Sequence, residues 1–449
     1  MDVSWRNVYS NIKAIQAIAL IIVHQGVIAS SAYFLTGLIE SVQNGGDVQF
    51  YLSLYLASMI VPFIPGCLSL IIMQHWINRV HRDAVRYIAK AAFARPAIYR
   101  DKDKREAFES ILSRNSFGVI SNYIALAHDF VSLFLNSLFS IMVIGFLLPG
   151  GLVAGYLISF VLAMIIILFI KIPVKKRSLE CEENLVKYGN GLAGGWGNTT
   201  LGNHYNYDRW TSKTQALGDI YYTSSNRLVG VKQLGNLSVA LVSLLPTAFL
   251  LYQMISAKNH SPELIAAVVV NLTRIFHILN ALSTLIYQML EWSSIHARFH
   301  FLLGLGKQLQ FGGGLPKGPV GKVTINGEII AEYNSAVETI AEEGRGRFTV
   351  RGDNGSGKST LLLMMKEQFS VSAMFLPSND SLLSWGSDHE RVSTGERMCA
   401  VLEEVSNVKG IKYLLLDEWD ANLDQDNKNR LDAILDSISA ERVVVEVRH

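Results

Sequence analysis

Residues Arg347–Glu367 read RFTVRGDNGSGKSTLLLMMKE. A short β-prone run (Arg347–Val350) enters a loop with three glycines and leaves through a helix-forming Leu/Met run. Gly352, Gly357, Lys358 and Ser359 match the spacing G-x-x-x-x-G-K-[ST] in the strand–loop–helix context that gives this pattern its meaning. The physical reason is local. Glycines let backbone N–H groups turn inward around phosphate oxygens, and the following helix presents its positive N-terminus to the anion. Gly352, Asp353, Asn354, Gly355, Ser356, Gly357, Lys358, Ser359 and Thr360 are therefore the candidate phosphate contacts. Lys358 is expected to reach the terminal phosphates, and the Ser359 hydroxyl to ligate Mg²⁺.

Downstream, Lys412–Asp420 reads KYLLLDEWD, an apolar run of the kind a buried parallel strand requires. It ends in two carboxylates. Beside a phosphate loop, Asp417 would hold Mg²⁺ through water and Glu418 would polarise the water attacking the γ-phosphate. Taken alone, the same run reads as a structural strand with a solvated acidic end. A third strand-like run, Arg442–Val447 (RVVVEV), ends in Arg448 and His449.

Working outward, Phe311–Gly321 (FGGGLPKGPVG) breaks all periodicity and marks a boundary. The 449-residue chain is half hydrophobic and only 17% charged, with a mean hydropathy of +0.26. These values exclude a disordered protein and speak against a purely soluble enzyme. Residues 315–449 hold 15 Lys and Arg against 22 Asp and Glu, while residues 1–314 hold 25 against 16. Two domains in different solvents are implied: a membrane domain at 1–310, a linker at 311–321 and a nucleotide-binding domain at 322–449. Cys67, Cys181 and Cys399 are too few and too scattered for a disulfide framework or metal cluster.

Six stretches have the roughly 20 apolar residues a membrane span needs: Ile12–Leu38, Phe50–Ile77, Phe130–Leu148, Leu152–Ile172, Leu237–Ile255 and Leu264–Leu290. The first is read as a span rather than a cleaved signal, because it runs on too long and lacks a small-residue cleavage site. The connections after spans two and four are long and basic and the others short. The positive-inside bias therefore puts both long loops and both termini in the cytoplasm of a multi-pass protein of the cytoplasmic membrane. The basic excess of residues 1–314 follows from that orientation, and a nucleic-acid partner is not expected. Segments such as Arg105–Asn122 and Cys181–Leu192 carry helical spacing and are expected to continue the membrane helices outward.

The order of these motifs resembles the ATPase domain of ABC transporters. Ser393–Arg397 (STGER) sits where that family has its signature, so Ser393, Thr394, Gly395 and Glu396 are the counterparts that would touch ATP across a dimer. Ala421, Asn422, Leu423 and Asp424 look like the D-loop, and His449 like the switch histidine, catalytic beside Glu418. Six spans, two long cytoplasmic loops and then an ATPase resemble a half-transporter of the exporter type. The implied fold is an all-α six-helix membrane domain followed by an α/β P-loop NTPase domain. The helical subdomain of that second domain is reduced, because only 35 residues separate Lys358 from Ser393. Ser378 stands where a Q-loop glutamine is expected. Tyr333 is the nearest candidate to stack on adenine, with an ordinary strand-edge tyrosine as the alternative.

The resemblance implies ATP and Mg²⁺ as cofactors and a homodimer, or a heterodimer with another half-transporter, acting in the lipid bilayer on a small transported substrate. Arg274, His277, Thr284 and Gln288 form one stripe of the sixth expected span. They read either as a pathway for an anionic substrate or, for Arg274, as a partner of a residue such as Asp129. His24, Gln25 and Asn136 could line the same cavity or bond between helices, and Pro62 and Pro65 are expected to kink the second span. The leading expectation is ATP-driven export of a peptide or other amphipathic or anionic compound. Lipid flipping and an ATP-gated regulatory role with weak transport are the alternatives.

Overall fold

A computed structural model describes the chain outside residues 1–7, 102–103, 106–107, 110–115, 148–149, 257–275, 278–279, 282–283, 285–287, 289–290, 293–294, 297, 301, 311–317, 320, 378–382, 387–393, 421–422 and 449. The contacts divide it into two units, residues 1–84 with 114–303, and residues 85–113 with 304–449.

The first unit is helical. Helix α1 (Ile12–Asn44) is capped by the Asn11 side chain, which accepts from Lys13 N, and ends at Gly45 in the left-handed conformation. α2 (Val48–Ile60) starts on Asp47, whose carboxylate accepts from Phe50 N. α3 (Phe63–Ala92) follows after a break at Val61 and Pro62. Pro62 lacks the N–H that would continue the helix, and its carbonyl lies 2.6 Å from His24 Nδ1. α4 is Ser116–Leu147, α5 Gly150–Ala193 and α7 His204–Ser256, with the short α6 (Gly195–Thr200) between the last two. α5 and α7 pack along each other, and α1 packs on α2 and α4. At 44 residues, α5 runs through Cys181–Leu192 without interruption. Gln25 and Asn136 bond between helices: Asn136 Nδ2 donates to Gln25 Oε1 (2.8 Å), and Gln25 Nε2 donates to Ser132 Oγ (2.7 Å).

The second unit is built on a six-stranded sheet of order β2-β1-β3-β6-β5-β4. The strands are β1 (Val323–Ile325), β2 (Glu328–Ile329), β3 (Gly346–Gly352), β4 (Ala373–Leu376), β5 (Tyr413–Asp417) and β6 (Val443–Val447). β3, β6, β5 and β4 run parallel, while β1 pairs antiparallel with β2 and β3. Strands buried on both faces read as continuous apolar runs, and β5 and β6 show the reason. Leu415, Val443, Val445 and Val447 join Val350 and helices α8 (Tyr333–Glu343) and α9 (Lys358–Phe369) on one face. Leu414, Leu416 and Val444 join α10 (Thr394–Asn407) and α11 (Gln425–Ser439) on the other.

Both halves of the expected fold are corrected. Among the described residues four helical segments are long and apolar enough to cross a membrane: Ile12–Asn44, Val48–Ala92, Ser116–Val143 and His204–Pro246. The expected fourth span, Leu152–Ile172, lies in α5 and is not one of them, and most of the expected sixth lies outside the described residues. An apolar count sets a minimum for a span, and it does not by itself make a six-helix exporter-type domain. The C-terminal region shows a small mixed sheet, whose antiparallel edge strands β1 and β2 have only three and two residues. It is not a clear P-loop NTPase domain with a reduced helical subdomain.

Candidate functional site

The C-terminal ends of parallel strands are where an open sheet leaves space for a ligand, and β3, β5 and β6 all finish here. β3 ends at Gly352, where a Cβ would lie 2.6 Å from Lys322 O. The turn that follows is closed by Ser356 N donating to Asp353 O (3.1 Å). Gly357 has φ +108°, and a Cβ there would lie 2.0 Å from Tyr333 Oη. Any other residue would pay twice, in backbone strain and in overlap. Thr360 N and Leu361 N both donate back to Gly357 O (3.0 and 3.1 Å), which starts α9 at the loop. Asp353, Asn354 and Gly355 are exposed, whereas Ser356 is buried, its Oγ without a hydrogen-bond partner among the described residues.

Lys358 is buried and its Nζ donates to Gly352 O (2.7 Å) and Asp353 O (3.1 Å). Ser359 Oγ donates to Asp417 Oδ1 at 2.9 Å, joining the start of α9 to the end of β5. Burial pushes the Asp417 carboxyl above its ordinary range. The Ser359 hydrogen bond opposes this, the Glu418 charge adds to it, and Arg100 and Lys358 pull it back in part. A hydroxyl and a carboxylate are hard oxygen donors of the kind Mg²⁺ takes, phosphates and water completing its shell. This pair suits that ion. Among the described residues no cluster of three or more His, Cys, Asp or Glu is disposed to hold a metal.

Glu418 has φ +50°, a left-handed backbone that costs a non-glycine residue about 1–2 kcal/mol. Two anchors hold it. Its own N–H donates to Val447 O (3.1 Å), and the next residue, buried Trp419, donates through Nε1 to Glu446 Oε2 (3.1 Å). Glu446 is 1% exposed and takes both Arg347 Nε (3.1 Å) and Nη2 (2.9 Å), as well as Thr349 Oγ1 (3.0 Å). Arg448 lies 2.9 Å from Glu446 through Nε, bonds Asp432, and sits over the Trp419 ring. Burial works against the Arg347 charge, but bonds to Glu446, Asp436 and Asp432 outweigh it and raise its pKa. This network fixes the ends of β5 and β6 on either side of Glu418.

The structure thus brings together Gly352–Thr360, Asp417 and Glu418. The expected signature segment is elsewhere. Thr394, Gly395 and Glu396 open α10, which is buried on the opposite face of the sheet from α9. A Cβ at Gly395 would lie 2.4 Å from Asn427 Nδ2, so glycine is needed where α10 meets α11. Asp424 caps α11, accepting from Asn427 N (2.8 Å), and Leu423 packs beneath it. Ser393, Ala421, Asn422, His449, Ser378 and Arg274 lie outside the described residues. His277 and Thr284 are exposed, Thr284 Oγ1 donating to Asn280 O (3.0 Å), and Gln288 is half-buried, its Oε1 without a hydrogen-bond partner among the described residues.

Tyr333 is neither a stacking platform nor a strand-edge residue. It begins α8, is 1% exposed, and donates its hydroxyl to Gly357 O (2.9 Å) beneath the loop. Sequence reasoning also missed Arg100, Trp419 and the Glu446 network. Glu446 carried a readable signal, a lone charge within an apolar strand. Arg100 was legible only as one of many charges in the long basic loop after the second expected span. No protein-family model matches this chain, and no curated protein matches it significantly.

Proposed function

We propose that the chain is an ATP-driven membrane pump, akin to ABC half-transporters, that works as a homodimer and exports a peptide or other amphipathic, anionic compound. The observation that carries the reading is the joint between the glycine loop and the β5 carboxylates, where Ser359 donates to Asp417 at 2.9 Å beside Lys358 and Glu418. Four helical segments of membrane-crossing length and apolarity among the described residues support a membrane setting for it.

In this reading the loop N–H groups and Lys358 bind the phosphate chain of ATP, the lysine exchanging loop carbonyls for phosphate oxygens. Ser359 and Asp417 would hold Mg²⁺, which supplies charge neutralisation at the transferred phosphoryl group. Glu418 orients water toward the γ-phosphate and accepts its proton, and His449 would complete that end of the site. The segment Ser393–Glu396 would complete the ATP site of a second copy. The helix that Thr394–Glu396 open packs on the far face of the sheet from α9, which favours a partner's loop over its own.

The test is ATP hydrolysis by the full chain in lipid vesicles. Glu418→Gln should reduce turnover by about 10²–10⁴-fold while ATP binding persists, and Lys358→Ala should weaken binding itself. Hydrolysis indifferent to Glu418 would refute the reading. Uptake of a labelled amphipathic peptide into inside-out vesicles, dependent on Glu418, separates export from nucleotide-gated regulation.

A further inference from the structure

Arg100 lies two residues after the turn Pro96–Ile98, and the contacts assign its segment to the same unit as the glycine loop. The segment is held in place on both sides. Pro96 is buried, its turn packs on α9, and the Tyr99 ring meets Phe375 of β4 edge-on at 6.0 Å. Arg95 Nη1 donates to Gln310 O, and Lys104 N and Nζ both bond Asp101. Between these anchors Arg100 Nη1 donates to Thr360 Oγ1 at 2.8 Å. Thr360 is in the first turn of α9, immediately after Ser359. The guanidinium is exposed, yet its charge is felt at Asp417 and at the Tyr333 phenol.

Resting on the nucleotide reading above, we propose that Arg100 is a phosphate-contact residue, a second cation beside Lys358 contributed by the segment that follows α3. Thr360 fixes the guanidinium plane at the start of α9 and uses one of its five N–H donors, and the planar fork is suited to phosphate oxygens. A residue serving only to bolt the segment to α9 would need a single donor and no charge. The Asp417 carboxylate bonds Ser359 at the same helix start, and the Glu418 charge is felt there, so a polyphosphate arriving there needs cations in compensation. Because α3 belongs to the candidate span Val48–Ala92, nucleotide would then be touched by the chain that continues a membrane-crossing helix.

Equilibrium binding of ADP with Mg²⁺ to the full chain in lipid nanodiscs tests this without turnover. Arg100→Gln keeps a donor for Thr360 and removes the charge. It should weaken ADP binding by about 10- to 100-fold, the loss expected for a hydrogen bond to a charged group, as should Arg100→Ala. Arg100→Lys should recover part of that loss. Arg100→Gln binding ADP within about twofold of the unaltered chain would assign the bolt role and overturn the proposal. Lys358→Ala distinguishes the two readings. If the unaltered chain fails to bind ADP, or Lys358→Ala binds it equally well, the nucleotide reading falls and this proposal with it. If Lys358→Ala loses binding and Arg100→Gln does not, the Arg100 proposal alone falls.

Discussion

The two units distribute their apolar side chains differently. In α1 the buried residues other than Ile21 are small or polar: Ala14, Ala17, Ala29, Ala32, Ser31, Ser41, Thr36 and Gln25. Many large apolar side chains of this unit point outward, Phe146 at 87% exposure and Phe63 at 71%, while Ile77, Ile120, Ile124 and Phe299 are buried between helices. In the sheet unit Leu414, Leu415, Leu416, Val444 and Val445 are fully buried. Lipid provides no hydrophobic drive between helices, so close approach of small residues and hydrogen bonds must hold them. Water does provide it, at about 25 cal/mol per Å² of apolar area removed. One unit should therefore fail when buried residues are enlarged, the other when they are cut back or a buried charge loses its partner.

The sharpest way to break this contrast is Glu446→Ala. Arg347 would lose its buried partner, and so would Trp419 Nε1. Truncating one member of a buried pair costs about 3–5 kcal/mol, seen as an earlier urea transition of the sheet unit. A cost below about 1 kcal/mol would mean the network is dispensable. Gly357→Ala comes next, at about 1–3 kcal/mol for the strained backbone, together with its overlap on Tyr333 Oη. The double change with Tyr333→Phe removes the overlapping atom, so the two costs should sum to more than the double variant shows. In the helical unit, Ala17→Leu should cost about 1–3 kcal/mol by overpacking, while Phe146→Leu should stay within about 0.5 kcal/mol. Thermal unfolding in detergent compares them, and equal effects would remove the distinction between the units.

What could be read from the chain follows the reach of each interaction. The glycine loop and the LLLDE carboxylates are local, a few residues each, and their chemistry is carried by residue type and spacing. Tyr333 under Gly357 and Arg100 on Thr360 join positions 24 and 260 residues apart, and no local pattern encodes such pairs. The six-span expectation rested on apolar length, which is necessary for a membrane helix and insufficient to fix its number. Gln25 and Asn136 show the same limit, since composition left both a cavity and a hydrogen bond open and only packing chose the bond. Thr394–Glu396 could be matched by order along the chain, but not assigned to the face of the sheet that α9 does not occupy.

The smallest expected effect concerns acid, and it pits two aspartates of one sheet unit against each other. For Asp432 burial raises the pKa, but the bonds from Arg347 and Arg448 more than reverse this, so the folded value is depressed. Its contribution is complete above the unfolded value, about 3.9, and is lost as pH falls through the lower folded value. Asp417 has the opposite sign, because burial raises its folded value. Its contribution is complete below the unfolded value and is lost as pH rises through the folded one. Asp432→Asn should therefore remove part of the acid-side fall in unfolding free energy, by no more than about 1 kcal/mol for a pair this accessible to solvent. Asp417→Asn, measured without nucleotide, should instead stabilise the unit near neutral pH, where a buried carboxylate only partly compensated by Ser359, Arg100 and Lys358 opposes folding. Unfolding free energies measured from pH 3 to pH 7 would expose the difference. Parallel pH profiles for the two variants would show that the arginine network does not set the charge state of this end of the sheet.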